Sequence, residues 1–167
     1  MNSTVLVTYA TMAGSTAGVA QQIGDTLIDN NFIVDILEVD QVTDLSKYET
    51  VILGSGIRGG TFFTKANAFI EKNKAVLEKK NFHVFLVCLT MREDTIANRS
   101  TADGYLDPIR TQVKPRSEGL FAGAYDSSKV NFMEKMIMRA IHAPEGDFRK
   151  WDEISAWAER IAASMSR

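Results

Sequence analysis

The chain has little cysteine and no long apolar run, and each shortage excludes a class of protein. One cysteine, Cys88, among 167 residues cannot form an internal disulfide or an all-cysteine metal site, and it suits a reducing compartment. No stretch of about 18 apolar residues is present, so no transmembrane helix is predicted. No basic segment precedes an apolar core at the amino terminus, so we expect no signal peptide and a cytoplasmic protein.

The chain also lacks a strong excess of charge of either sign. Its formal net charge is −2 at pH 7 without a basic tract, which argues against nucleic acid as a partner. The two histidines, His83 and His142, have no neighbours spaced like metal ligands or a catalytic triad, so no metal is predicted. Cys88 lies in the most apolar run and is predicted to be a buried structural thiol. The length and the 45% apolar content fit a single domain over residues 1–167.

Apolar runs alternate with segments of helical spacing along the whole chain. This alternation predicts an α/β fold, a three-layer sandwich in which helices cover both faces of a five-stranded parallel sheet. In such sheets, ligands bind beyond the carboxyl ends of the strands, where the strand order reverses. Strands are predicted at 5–10, 32–39, 48–53, 82–89 and 119–125, and helices from Thr16 to about Asp29, at 65–79, at 103–113 and between 147 and 167.

The segment Thr11–Thr16 (TMAGST) lies between the first strand and the first helix. This arrangement directs unpaired backbone N–H groups and the positive end of the helix dipole to one point. Thr11, Ser15 and Thr16 add hydroxyl donors, and Gly14 permits close approach of an oxyanion. The segment has no lysine, so the nucleotide-binding pattern GxxxxGK[ST] fails and a terminal phosphate monoester fits better. An ordinary helix start after a turn is the alternative interpretation.

Two further loops follow neighbouring strands and are expected to meet Thr11–Thr16 at the same edge of the sheet. They are Gly54–Gly60, after the third strand, and Thr90–Asp94, after the fourth. The first contains the pattern G-x-G-x-x-G, but this dinucleotide signature belongs to the first strand–helix turn, so we discount it here. Convergence of the three loops favours one small-molecule site.

Residues 126–147 interrupt the alternation before the last helix. They contain a predicted helix with six apolar residues on one face, namely Val130, Met133, Met136, Ile137, Ala140 and Ile141. One interpretation is an extra helix packed on the body of the protein. The other is an adaptable methionine-rich contact surface for a partner, or for peripheral membrane contact through Lys129–His142.

These motifs together resemble the flavodoxin-like FMN-binding family over nearly the whole chain. Within it, the chain is most similar to the flavodoxin-domain protoporphyrinogen oxidase branch of the menaquinone-dependent type. Thr11–Thr16 is similar to the family's phosphate-binding T-x-T-G-x-T theme. The similarity to the oxidase branch lies in Gly54–Gly60, Ala122–Ala124, Phe132–Met138, Gly146 and Arg149.

The resemblance implies FMN as the cofactor and three loops as its binding site. No catalytic residue is assigned, and Arg58 is the candidate for tuning the flavin, because a guanidinium near the reduced ring raises its reduction potential. A solvated arginine is the alternative. The predicted cofactor-binding residues are Thr11, Met12, Ala13, Gly14, Ser15, Thr16, Ser55, Gly56, Ile57, Arg58, Gly59, Gly60, Leu89, Thr90, Met91, Arg92 and Glu93.

The implied function is an FMN-dependent oxidoreductase that passes electrons from a porphyrinogen-like substrate to a quinone or to a redox partner protein. Two alternatives stay open, a flavodoxin-type soluble electron carrier and an interaction module without flavin. The nearly balanced charge differs from the strongly acidic electron carriers. The loops offer few aromatic residues to stack on a flavin, only Phe62 and Phe63 at the far edge of the second loop.

Overall fold

A computed structural model describes residues 4–167 and shows the predicted alternation of strands and helices. Within these residues, the strands are β1 (Thr4–Ala10), β2 (Ile33–Glu38), β3 (Thr50–Arg58), β4 (Thr61–Phe62), β5 (Asn81–Cys88), β6 (Glu118–Ala122), β7 (Ala124–Tyr125) and β8 (Gly146–Asp147). The helices are α1 (Ser15–Asp29), α2 (Thr64–Leu77), α3 (Ile96–Gly104), α4 (Asp107–Arg110), α5 (Phe132–Ala140) and α6 (Trp151–Met165).

The central sheet has the strand order β2-β1-β3-β5-β6, and all five strands run parallel. The short β4 pairs antiparallel with the end of β3. β2 lies on one side of β1, and β3 lies on the other side. The strand order therefore reverses between β1 and β3. The sandwich predicted from the sequence is therefore confirmed, and its ligand-binding edge is expected beyond these two strands.

Alternating side chains along the strands build one apolar layer on each face of the sheet. On one face, Val7 of β1 packs in a cluster with residues of α1 and α6, including Ile23 and Ile154. On the other face, Leu6 lies in a cluster with α2 and the α3–α4 region, including Ile70. The helices thus cover both faces of the sheet.

The third strand is longer than predicted. β3 continues to Arg58 and pairs with β5 beyond the predicted end at Leu53, so most of the predicted glycine-rich loop is strand. The glycine at position 54 is required by packing, because a Cβ there would overlap the ring of Phe85 on β5. The sequence pattern was read as a loop because glycine usually interrupts strands.

The prediction for residues 90–113 was also wrong. One helix over 103–113 was expected after this loop, but α3 begins at Ile96 and the short α4 follows separately. The start of α3 is capped by Thr95, whose Oγ1 accepts a hydrogen bond from the Asn98 backbone N–H at 3.1 Å. This is a local capping signal that the sequence contains and that the prediction overlooked.

The helical repeats of α6 and α2 predict buried stripes that include Trp151 on α6 and Val76 on α2, and both residues are exposed in the structure. On α6, Ile154, Ala158 and Ile161 of the same stripe are buried, and Trp157 is buried beside them.

The predicted fifth strand divides at Gly123. β6 stays in the main sheet, whereas β7 leaves it and pairs antiparallel with β8. The Gly123 N–H donates to the Cys88 carbonyl at 3.2 Å, and its own carbonyl accepts from the Phe148 N–H at 3.1 Å. The inserted segment is thereby attached directly beside the carboxyl end of β5.

Candidate functional site

The carboxyl ends of β1, β3 and β5 meet at one cavity of about 340 Å³. This volume lies within the range of about 300–1,000 Å³ that is usual for small-molecule sites. The three loops predicted to converge do so here. Of the seventeen predicted cofactor-binding residues, twelve line the cavity, namely Thr11, Met12, Ala13, Ser15, Thr16, Gly56, Ile57, Arg58, Gly59, Gly60, Leu89 and Thr90.

The turn between β1 and α1 forms a polar end of the cavity. Thr11 Oγ1 accepts a hydrogen bond from the Gly14 N–H at 3.0 Å, and Gly14 has a φ of 90° that favours glycine. No side chain caps α1 and its first turn carries no acidic residue. The N–H groups at the start of this helix therefore stay available to an anion. Thr16 lies buried just inside the turn.

The β3–β4 hairpin forms a second wall. Gly59 and Gly60 have φ values of 58° and 78°, which make the tight turn between the two strands. The hairpin brings Phe63 beside Gly56, where an added Cβ would lie 2.6 Å from the phenyl ring. Phe63 consequently lines the cavity, although the sequence placed it only at the far edge of this loop.

Ser55 and Gly14 do not line the cavity. The Ser55 hydroxyl is buried, donates to the Gly56 carbonyl at 2.7 Å and accepts from the Phe63 N–H at 3.0 Å. Ser55 therefore fixes the hairpin that carries the wall.

The third loop contributes less than predicted. Residues Leu89–Arg92 form a 3-10 turn, in which successive side chains point in directions about 120° apart. Leu89 and Thr90 face the cavity, but Met91 turns into the apolar core. Arg92 folds back and donates from Nη1 to the Leu89 carbonyl at 3.3 Å. Neither of these two nor the exposed Glu93 lines the cavity.

Two tyrosines at the cavity were missed by the sequence analysis. Tyr105 follows α3, and its ring lies 3.4 Å from where a Cβ on Gly60 would be. Tyr125 is buried on β7 and also lines the cavity. The available signal for Tyr125 was its place at the carboxyl end of the predicted fifth strand. No local pattern marked Tyr105, because its position depends on how α3 packs.

Helix α5 lies at the mouth of the cavity. No residue of α5 is buried. Glu134 and Met138, outside the predicted apolar face, line the cavity, whereas Met133 and Met136 turn to solvent. The inward side of the segment, which lines the cavity, consists of Val130, Glu134, Ile137, Met138 and Ile141. Three of the six predicted apolar positions, Val130, Ile137 and Ile141, therefore face the cavity.

Arg58 and Glu134 are the two charged side chains that line the cavity within residues 4–167. Arg58 Nη1 lies 3.6 Å from Glu134 Oε1 and 3.9 Å from Met12 Sδ. The Arg58 side chain is 59% exposed and that of Glu134 only 14%. The arginine therefore lies across the mouth toward α5, and its role in tuning a flavin stays a prediction.

Arg149 connects the first turn of α1 with the inserted segment. Its Nη1 donates to the Ser15 carbonyl at 3.3 Å, and its Nε and Nη2 donate to the Asp147 carboxylate at 2.9 and 2.6 Å. This pairing lowers the pKa of Asp147 below its usual value. The guanidinium also stacks on Trp151, with 4.6 Å between its central carbon and the ring centroid. Arg149 thus fixes the first turn of α1 against the end of the inserted segment.

Other reactive groups are few. Cys88 is buried as predicted, and burial raises the pKa of its thiol, so it is protonated at neutral pH. Residues 4–167 contain no group of three or more acidic, histidine or cysteine side chains arranged to hold a metal ion. Across the same residues, every helix is too short or too polar to cross a membrane.

Comparison with known families shows to which family the chain belongs. The sequence model described as Flavodoxin domain matches residues 6–152, which is most of the chain. The chain belongs to the flavodoxin-domain family.

Two of the relatives found by sequence comparison carry the same name. This flavodoxin-domain chain is 27% identical to Protoporphyrinogen IX dehydrogenase [quinone] of Leishmania major, over 95% of the chain and 74% of the relative. It is 24% identical to Protoporphyrinogen IX dehydrogenase [quinone] of Escherichia coli K12, over 94% of the chain and 93% of the relative. The predicted resemblance to this branch is therefore confirmed at low identity.

Solved flavodoxin structures share the fold. A flavodoxin of Streptococcus pneumoniae TIGR4 superposes with a TM-score of 0.64 at 18% identity, covering 97% of this chain and 99% of that one. A flavodoxin from the domain Archaea gives 0.62 at 15% identity, covering 98% and 99%. Flavodoxin 2 of Bacillus cereus gives 0.58 at 20% identity, covering 99% and 100%. At such identities the likeness establishes the fold alone.

The flavodoxin fold and domain imply a bound flavin, and the residues of the cavity fit one. A flavin mononucleotide joins a single phosphate monoester to a flat, largely apolar ring system. At Thr11–Thr16 the cavity offers a turn without lysine whose uncapped helix N–H groups suit a phosphate. Beyond it lie apolar and aromatic walls that include Ile57, Phe63, Leu89 and Tyr105.

Proposed function

We propose that this flavodoxin-domain protein binds FMN and oxidises a porphyrinogen-like substrate, with a quinone-type acceptor for the electrons. One observation carries the proposal. A single cavity has the anion-binding turn Thr11–Thr16 at one end and the inserted helix α5 at its mouth. The names of the two relatives support the choice of substrate and acceptor.

The residues of the chain have separate roles in this proposal. The turn Thr11–Thr16 holds the phosphate, and the β3–β4 hairpin with Phe63 forms one side of the ring site. FMN, when bound, accepts a hydride and passes electrons on one or two at a time. Arg58 at the mouth supplies the positive charge that favours the reduced, anionic cofactor. The apolar inward side of α5 excludes water from this region.

The first experiment tests FMN binding and the role of the turn. Purified protein is mixed with FMN or riboflavin, and affinities are measured from flavin fluorescence. We expect Thr16→Ala to weaken FMN binding by about 10- to 100-fold, the value of a hydrogen bond to a charged group, and to affect riboflavin little. The remote, exposed Thr111→Ala serves as the matched control. Equal weakening of both flavins by Thr16→Ala would reject a phosphate-binding role for this residue.

The second experiment tests the reaction. Under anaerobic conditions, FMN-loaded protein is mixed with a porphyrinogen, and formation of the fluorescent oxidised ring is followed with a water-soluble quinone as acceptor. We expect turnover that needs both the flavin and the quinone. If flavin is bound and exchanges electrons with redox proteins but no porphyrinogen is oxidised, the chain is an electron carrier. If no flavin binds, the module without flavin is correct.

A further inference from the structure

Helix α5 has a second apolar face that the cavity does not use. With about 100° between successive residues of an α-helix, Phe132, Met136 and Met133 fall within one arc of about 100°. Phe132 is 76% exposed, Met133 73% and Met136 50%. They point away from the side of the helix that lines the cavity. Nothing among residues 4–167 covers this outer face.

Basic side chains flank the outer face. Lys135 and Arg139 lie on the helix beside Phe132, and Lys129 precedes it. Neither Lys135 nor Arg139 makes a salt bridge within residues 4–167, and Lys129 lies 4.0 Å from Asp126. Glu145 is the acidic group on which the charge of Lys135 acts, and Asp147 is a second one on which Lys129 acts. With Glu134 as the acidic residue of this stretch, residues 129–142 carry a formal charge of +2, against −2 for the whole chain.

We infer that the outer face of α5 docks on the surface of an anionic phospholipid bilayer. A narrow apolar arc bordered by lysine and arginine on a short amphipathic helix matches the chemistry of such a surface, since apolar side chains enter the acyl boundary and cations meet lipid phosphates. Because the chain as a whole carries a net negative charge, this positive patch turns α5 toward the anionic surface. A docked α5 also brings the mouth of the cavity to the bilayer. The inference does not require the proposed reaction, and its test contains no substrate.

The test is sedimentation of the full chain, loaded with FMN, with vesicles. Vesicles of phosphatidylcholine mixed with phosphatidylglycerol are compared with vesicles of phosphatidylcholine alone. We expect binding to the anionic vesicles only, and its loss when salt rises from about 0.1 M to about 1 M, which shortens the Debye length from about 10 Å to about 3 Å. Equal binding to both kinds of vesicle, binding that salt does not change, or no binding to either would overturn the inference.

Matched variants locate the contact. Lys135→Ala with Arg139→Ala should weaken binding by about 20- to 30-fold, since each cation near the surface contributes about fivefold. Phe132→Ser with Met133→Ser should weaken it by about tenfold or more. The controls are Lys72→Ala with Lys79→Ala, and Ile96→Ser, which remove exposed cations and an exposed apolar residue elsewhere. Equal losses in the controls would refute a contact through α5.

A spectroscopic measurement locates the contact without comparing the vesicle affinities of variants. In Phe132→Trp, the added indole should shift its emission to shorter wavelength on anionic vesicles, relative to the parent protein with its two native tryptophans. An unchanged emission while the protein sediments would place the contact on another surface. Binding of an acidic protein by α5 without binding of vesicles would identify a protein partner and likewise contradict the inference.

Discussion

His83 on β5 should make the folded protein sensitive to mild acid. Its side chain is 3% exposed, and its Nδ1 lies 2.8 Å from Ser117 Oγ. Burial, with a smaller contribution from the charge of Arg116, lowers the pKa of His83 to about 4. In an unfolded chain the pKa of histidine is about 6.5, so between these values the unfolded state binds more protons than the folded one. Stability must therefore fall as pH drops through this window.

The magnitude follows from the shift. The difference between a pKa of about 6.5 in the unfolded chain and about 4 in the folded protein corresponds to a loss of about 3 kcal/mol, complete only below about pH 4. Between about pH 7.5 and about pH 5.5, the loss from His83 is about 1.3 kcal/mol. Ion pairing with Arg99, Arg110 and Arg149 lowers the pKa of Asp94, Asp103 and Asp147, so their stabilising effect is lost only as pH falls below about 4. The change in unfolding free energy with pH above about pH 5 thus reports on the protonation of His83.

The assay is urea unfolding at a series of pH values, followed by tryptophan fluorescence. The parent should lose about 1.3 kcal/mol of unfolding free energy over this interval, and His83→Gln should lose much less, whatever its absolute stability. His142→Gln, which removes the exposed histidine, is the matched control and should keep the slope of the parent. The same slope in His83→Gln and the parent would refute the assignment.

Three further predictions concern the candidate site and the residues that support the fold around it. Gly56→Ala should displace the Phe63 ring, destabilise the protein by about 1–3 kcal/mol and weaken flavin binding; a change in stability without a change in flavin affinity would contradict this coupling. Arg58→Ala should lower the two-electron potential of bound FMN while leaving its affinity largely intact, measured by reductive titration, and an unchanged potential would remove Arg58 from that role. Arg110→Ala should cost about 1–2 kcal/mol in urea unfolding through loss of its pairing with Glu118, and Arg110→Lys should recover part of this; no loss in either variant would show that the pair is not stabilising.

The central sheet and the position of the turn Thr11–Thr16 were predictable because their signals are local. An apolar run, a short hydroxyl-rich turn and a helical repeat suffice to place Thr11–Thr16 between β1 and α1. Parallel strands with helical crossovers then bring the three loops to one edge of the sheet without any knowledge of side-chain packing. The twelve predicted residues that line the cavity follow from this topology.

The rest of the cavity depends on tertiary packing that no short pattern encodes. Tyr105 reaches it through the packing of α3, and Glu134 through the rotation of α5 about its own axis. The helical repeat grouped Met133 and Met136 with Ile137 on one apolar face, but it could not show that α5 covers an open mouth and leaves Phe132 and Met133 outside. Met91 was misplaced because a 3-10 turn was not recognised after β5.

The contact between Arg149 and the Ser15 carbonyl has a consequence for folding during synthesis. The two residues are 134 positions apart, and a Cβ on Gly18 would overlap the guanidinium, so the arginine lies directly against α1. The ribosome makes β1, the turn and α1 early, but the arginine that supports this helix leaves the exit tunnel more than a hundred residues later. A nascent chain lacking Arg149 presents the turn without its support. The supported form of this turn therefore assembles only after the segment that carries Arg149 has been synthesised.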